Sequence, residues 1–483
     1  MTLSRRHLIS ASAAGLAFSG LARLAHGQAA PPPSMTAAQV EADPYLSEVE
    51  GYGPLKSDPA GLFDLPEGFS YTVVSSAMDP MSDGLITPHK FDGMGCFAGA
   101  NPDQVILTRN HELKLADLDI AAYGAGQALA GKVDRDRLYD RTTDGLILPG
   151  GVTRVTYDLK ARKVVDQHLA LAGTMVNCAG GMTPWGSWLS CEEVIQSAGD
   201  KVGKSHGWVY EVPAAGKGLV EPIPLTGLGR FRHEAAAIDP RTGVVYLTED
   251  DGDGYGLFYR FLPQDRFNLA KGGRLQALGL AGQREYGDAR NWTETTWKQG
   301  DSQKVFWIDL EGTDNPDEAL RARGHAAGAA WFARGEGIFH GNGDIFFACT
   351  TGGPARLGQI MRYRPSLHEG QSGETDEPGV LQLFVEPHDK RLMNMCDNIA
   401  VSPWGHLMVC EDKVGGVNYL KAVTPWGQTY TLGRNAKAGA GDVGVNSELA
   451  GVCFSPDGTT MFVNVYFPGV TLAITGPWSR FRG

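Results

Sequence analysis

Long apolar runs, sustained helical periodicity, cysteine and positive charge are all in short supply in this chain of 483 residues. Beyond the first residues no stretch approaches the roughly 20 apolar positions of a membrane-spanning helix, so no membrane span is expected. The shortage of 3.6-residue periodicity speaks against a coiled coil or helical bundle. Seven cysteines are too sparse for a disulfide-stapled scaffold, and an odd number leaves at least one thiol free. Lysine and arginine total 43 against 55 acids, a formal net charge of -12. Such a surface disfavours nucleic acid and anionic membranes, and an anionic substrate would need cations between itself and the protein. No Gly-x-Ser-x-Gly elbow and no P-loop occurs, so serine-hydrolase and nucleotide-kinase chemistry find no support.

Glycine and proline, by contrast, number 64 and 27, and the apolar share of 42% is too high for a disordered chain. This composition points to a large, closed all-β architecture. One unit recurs: a turn with Pro or Gly, three or four apolar or β-branched residues, then a polar cluster. The copies span Asn101 to Glu112, Thr183 to Glu193, Asp239 to Asp251, Gly341 to Thr351, Ser402 to Asp412 and Ser455 to Tyr466. Six such hairpins predict an all-β, six-bladed β-propeller with decorated loops.

The first residues read as an address. Ser4-Arg5-Arg6-His7-Leu8-Ile9, an apolar stretch to Leu24 and Ala25-His26-Gly27-Gln28 form a twin-arginine export signal over residues 1–27. Residues 28–48 read as a linker and residues 49–483 as the propeller domain. The mature protein is expected to be soluble and periplasmic or secreted. The twin-arginine route carries chains already folded in the cytoplasm, often around a metal.

Each hairpin has an upstream partner. Asn177 precedes Cys191 by 14 residues, Glu234 precedes Glu249 by 15, Glu336 precedes Thr350 by 14 and Asp397 precedes Glu411 by 14. Positions equidistant from a turn become cross-strand neighbours about 4.5–5.5 Å apart. Radial repetition would then gather His111, Glu112, Glu192, Glu193, Glu234, Glu249, Asp250, Asp251, Glu336, Asp397, Glu411, Asp412 and Glu448 at one mouth of the central channel. So many acids would repel one another unless hard cations bound them. One thiolate among them, at Cys191, would ask for a softer transition metal, although a disulfide with Cys178 is also open. The run Asp251-Gly-Asp-Gly-Tyr-Gly begins like an EF-hand, but its twelfth position is Leu262, which leaves a glycine-rich turn.

Tyr52-Gly-Pro-Leu, Asp58-Pro, Leu65-Pro-Glu-Gly-Phe69, Thr183-Pro-Trp-Gly, Cys191-Glu192-Glu193, His233-Glu234, Arg334-Gly-Glu336-Gly337 and Asp397-Asn398 together resemble the PhoX-type alkaline phosphatases. The resemblance implies a monomeric six-bladed propeller, exported by the twin-arginine route, that hydrolyses phosphate monoesters. It implies two Fe3+ ions joined by an oxo bridge, together with Ca2+. Carried over residue by residue, Cys191 matches the iron-bound thiolate, Glu234 and Glu336 the carboxylates bridging iron and calcium, and Arg334 the phosphate-binding arginine. Glu192, Glu193, Glu249, Asp397, Asn398 and Glu411 are expected metal ligands from their position. Two other readings stay open: a calcium-dependent sugar lactonase on the same scaffold, and a non-catalytic propeller that binds a partner on its rim.

Overall fold

A computed structural model describes residues 45–285, 287–293, 295, 297–413, 416–437 and 447–481. The expected export signal, and the linker up to residue 44, lie outside the described residues. The hairpins form where the punctuating residues place them. In Thr183-Pro-Trp-Gly, Ser402-Pro-Trp-Gly and Ser455-Pro-Asp-Gly the first hydroxyl accepts an amide hydrogen bond from Ser187, His406 and Thr460, at 2.9, 2.9 and 3.0 Å. The glycine then takes the left-handed conformation that returns the chain, φ +89, +90 and +70 at Gly186, Gly405 and Gly458.

Five antiparallel sheets result, and they resolve into six radial blades. Blade 1 covers residues 91–174, blade 2 residues 177–213 and blade 3 residues 233–280. Blades 4 and 5 cover residues 335–385 and 396–435. The strand Ser302–Asp309 pairs with both Gly273–Leu280 and Val380–Val385, fusing blades 3 and 4 into one nine-stranded sheet. Blade 6 is built from both ends of the domain: Leu449–Phe454, Thr460–Val465 and Val470–Thr475 are completed by the N-terminal strand Ser70–Ser76. The six innermost strands contact one another in a closed ring, so the inner edge of each sheet is covered by its neighbours.

Apolar clusters fill the spaces between blades, as between blades 3 and 4 around Tyr246, Phe258, Phe347 and Tyr363. Inside the ring a cavity of about 290 Å³ is walled by small and apolar residues such as Gly180, Ala235, Gly337 and Ile338. Residues 45–48, the last of the expected linker, lie along blade 5, where Leu46 and Glu48 donate backbone hydrogen bonds to Arg391 and Thr429 at 2.9 and 2.8 Å. Among the described residues no helix is long and apolar enough to cross a membrane.

The inner strands share one irregularity. Each pairs regularly with the second strand of its blade up to a point near its start, where the register shifts by one residue. Every blade therefore carries a β-bulge at the same place.

Candidate metal centre

The bulges place the chemistry. The first bulged residue is Asp92 in blade 1, then Cys178, Glu234, Glu336, Asp397 and, in blade 6, Gly451. Five potential metal donors thus occupy equivalent positions, all fully buried. A second tier follows the end of each second strand: Glu112, Glu193, Asp250, Thr350, Asp412 and Tyr466. The amide of each donates to the carbonyl of the residue leading into its inner strand, respectively Lys90, Val176, Arg232, Arg334, Met395 and Glu448, at 2.9–3.3 Å. This bond closes the hairpin's open end six times over.

A bulge frees carbonyls from the ladder, and side chains from the preceding blade satisfy them. Asn464 Nδ2 donates to Asp92 O at 2.7 Å, Asn110 Nδ2 to Ala179 O at 2.7 Å, and Thr248 Oγ1 to Glu336 O at 2.6 Å. Nothing in the sequence reading marked Thr248.

The donor atoms converge in overlapping groups. One atom each of Cys178, Glu193 and Glu234 lie within 4.8 Å of one another, and so do atoms of Glu234, Glu336 and Asp397. Among the described residues ten buried carboxylate oxygens in Asp92, Glu112, Glu193, Glu234, Glu336, Asp397 and Glu448 have no hydrogen-bond partner. Burial pushes these acids well above the usual carboxylate range, and repulsion from the neighbouring carboxylates adds to it, as Glu336 and Asp397 do for Glu234. Glu112 is pushed up to about 8, again by burial. A protein does not bury so many unsatisfied like charges without a counter-charge, and multivalent cations supply one. The donor set fits hard oxygen-seeking ions with one softer site at the Cys178 thiol.

Arg334 lies at the same mouth. Its backbone is left-handed, φ +58, and its guanidinium pairs with Asp250 at 2.8 Å and with Glu336. Burial opposes its charge, but these two carboxylates more than offset that and hold it cationic.

A family profile described as alkaline phosphatase PhoX matches residues 50–469. The chain belongs to the alkaline phosphatase PhoX family. Like the rest of that family it is a phosphatase, and a hydrolase. The structure of Pseudomonas fluorescens PhoX in complex with vanadate, a transition-state analogue, shares its fold. Identity is 18%, the alignment covers 90% of this chain and 97% of that one, and the TM-score is 0.61. A protein of unknown function from Bacteroides thetaiotaomicron (13% identity, 84% of this chain and 76% of that one, TM-score 0.38) and a gluconolactonase from Xanthomonas campestris (11% identity, 90% and 100%, TM-score 0.37) are more distant. No curated protein sequence matches.

On this PhoX scaffold the expected ligands separate into two groups. Glu193, Glu234, Glu336 and Asp397 come together at the mouth. Cys191, expected to supply the thiolate, does not: it pairs with Val209 and packs among Leu189, Leu225 and Phe231. Cys178 stands in the donor group instead, and the two form no disulfide. Glu192, Glu249 and Glu411 also face away from the channel. Glu192 accepts from His206 and the amides of Met175, Gly207 and Trp208. Glu249 accepts from Tyr259 Oη and the Leu257 amide, and Glu411 from the Asn394 and Tyr419 amides. Asn398 is engaged with Asp397 and the Gly451 amide. Asp92, absent from every earlier grouping, had one signal: Phe91-Asp92-Gly93 stands ahead of its hairpin turn as Gly335-Glu336-Gly337 does.

Proposed function

We propose that this phosphatase is exported, that it acts as a monomer on phosphate monoesters, and that its channel mouth holds two oxo-bridged Fe3+ ions together with Ca2+. The observation that carries the reading is the set of ten unpartnered, buried carboxylate oxygens beside a buried thiol and a buried arginine. Cys178, Glu193 and Glu234 would hold iron, with Glu336 and Asp397 sharing the adjoining position. Asp92 and Glu448, held above the usual carboxylate range by burial and by the neighbouring charges of Glu112 and Asp412, would hold calcium together with those two acids. Bound there, the metals would neutralise phosphoryl charge and activate an oxygen nucleophile.

The chain's own groups do the rest. Arg334, aimed across the mouth from a left-handed position, grips two phosphoryl oxygens through its planar fork, and Asp250 and Glu336 keep it oriented. The closing amide bonds fix the four acids of the second tier, Glu112, Glu193, Asp250 and Asp412, so little reorganisation is needed when substrate arrives. Elemental analysis of the folded protein, combined with hydrolysis of a simple aryl phosphate before and after chelation, tests the reading. Iron, calcium and chelator-sensitive turnover are expected. Calcium alone, without phosphatase turnover, would favour the lactonase reading.

A further inference from the structure

The loops that follow the second strands of blades 3 and 4, with the connection between Gly273–Leu280 and Ser302–Asp309, build a ladder on the rim of the acid-lined mouth. Tyr255 lies five residues after Asp250 and meets the Trp292 ring edge-on, with centroids 6.2 Å apart. Arg290 sits over both rings, 4.5 Å from Tyr255 and 4.3 Å from Trp292. Arg356 then stacks on Trp292 with its guanidinium carbon 3.4 Å from the ring centroid. Gly254 makes room for this packing, since a Cβ there would lie 2.2 Å from the indole.

The ladder is tied to the site by short links. Trp292 Nε1 donates to Thr351 O at 2.7 Å, while Thr351 N and Thr350 N donate to Ala333 O and Arg334 O at 3.3 and 3.0 Å. Gly353 N donates to Arg290 O at 2.9 Å. The loop carrying Arg356 is therefore fastened to the backbone that positions Arg334.

Arg356 differs from the other arginines around this mouth. Arg334 pairs with Asp250, Arg232 and Arg321 with Asp251, and Arg290 with Asp288. Among the described residues Arg356 has no carboxylate partner, and its side chain is exposed with its backbone left-handed at φ +56. Desolvation and the nearby Arg290 charge weigh against its positive charge, and Tyr255 partly offsets them.

We infer that Arg356, held flat on Trp292, is a leaving-group subsite that selects phosphate monoesters whose alcohol part carries a second oxyanion. The inference rests on the phosphatase reading and adds a substrate class to it. Stacking pre-orders the guanidinium, so its donor edge is offered without further loss of side-chain freedom. In a chain as acidic as this one, a lone oriented cation on the rim also discriminates against neutral leaving groups.

Phenyl phosphate and 4-carboxyphenyl phosphate form the test pair, alike in shape and different by one carboxylate. 4-Hydroxyphenyl phosphate and hydroquinone bisphosphate, both aryl monoesters, test a phosphate as the second oxyanion. Arg356→Ala should raise KM for the carboxylated or bisphosphate member about three- to tenfold, with kcat and the phenyl phosphate constants unchanged. Arg356→Lys should recover part of the loss. A response confined to one pair identifies whether carboxylate or phosphate is preferred. Parallel changes on both members of each pair, or none, would overturn the subsite while leaving the phosphatase intact. A metal-loaded wild type inert on phenyl phosphate would overturn the phosphatase reading and the subsite with it.

Discussion

Cys178 and Cys191 are thirteen residues apart on paired strands, and their surroundings divide their roles. Burial, then the charges of Glu234 and Glu193, hold the Cys178 thiol far above an ordinary thiol pKa, so a bound cation is what would make it a thiolate. Cys178→Ser should lose most of the iron and bleach any visible thiolate-to-iron band. Cys191→Ser, altering an apolar cluster, should keep both; elemental analysis and absorption spectra of the two variants check this. Arg334 gives a second prediction at this scale. Arg334→Ala removes a charge-assisted grip worth about 1.5–3 kcal/mol, so kcat/KM on an aryl phosphate should fall roughly ten- to a hundred-fold while metal content is kept. Loss of metal in step with activity would instead make Arg334 a support for the cluster.

The repeated bulge is the element that sets the site, and Gly451 shows how tightly it is built. Its φ is +60, and a Cβ there would come 2.5 Å from the Asp92 carbonyl oxygen. Gly451→Ala should destabilise the fold by about 1–3 kcal/mol and shift the denaturant midpoint without changing its slope. The bulges also explain what could be read from the sequence. The six hairpins were legible because Asn-Pro-Asp, Thr-Pro-Trp-Gly, Asp-Pro-Arg-Thr-Gly, Gly-Asn-Gly, Ser-Pro-Trp-Gly and Ser-Pro-Asp-Gly announce their turns chemically. A bulge has no comparable signature, and counting evenly back from each turn ignores the inserted residue. Because side chains alternate faces along a strand, that one residue exchanges inside for outside. Counting evenly set Asn177 opposite Cys191, whereas it pairs with Glu192. The same parity turns Glu249 and Glu411 outward while their successors Asp250 and Asp412 join the second tier. The convergence of acids was thus readable as a group, and its membership was not.

At the scale of the whole molecule, the buried acids make stability depend on pH and metal together. Their folded-state pKa values are raised, so the metal-free fold is best tolerated below the usual carboxylate pKa and loses stability as pH rises toward about 8, the value for Glu112. Chelated protein should therefore have a lower urea midpoint at pH 8 than at pH 5. Added Ca2+ should flatten that slope, and Mg2+ should do so less, since it demands tighter octahedral geometry and gives up water reluctantly. A chelated protein equally stable at both pH values would show that the acids are not strained by their burial.

The strand Ser70–Ser76 finds its partner Val470–Thr475 only after the other five blades have been synthesised. Asp92 and Glu448, neighbours in the donor cluster, are separated by nearly as much chain. A chain that has not yet reached blade 6 therefore holds at most part of the cage, and capture of the full ion set must wait for Glu448. A chain cut ahead of Val470 would yield no weakened enzyme, only an open ring.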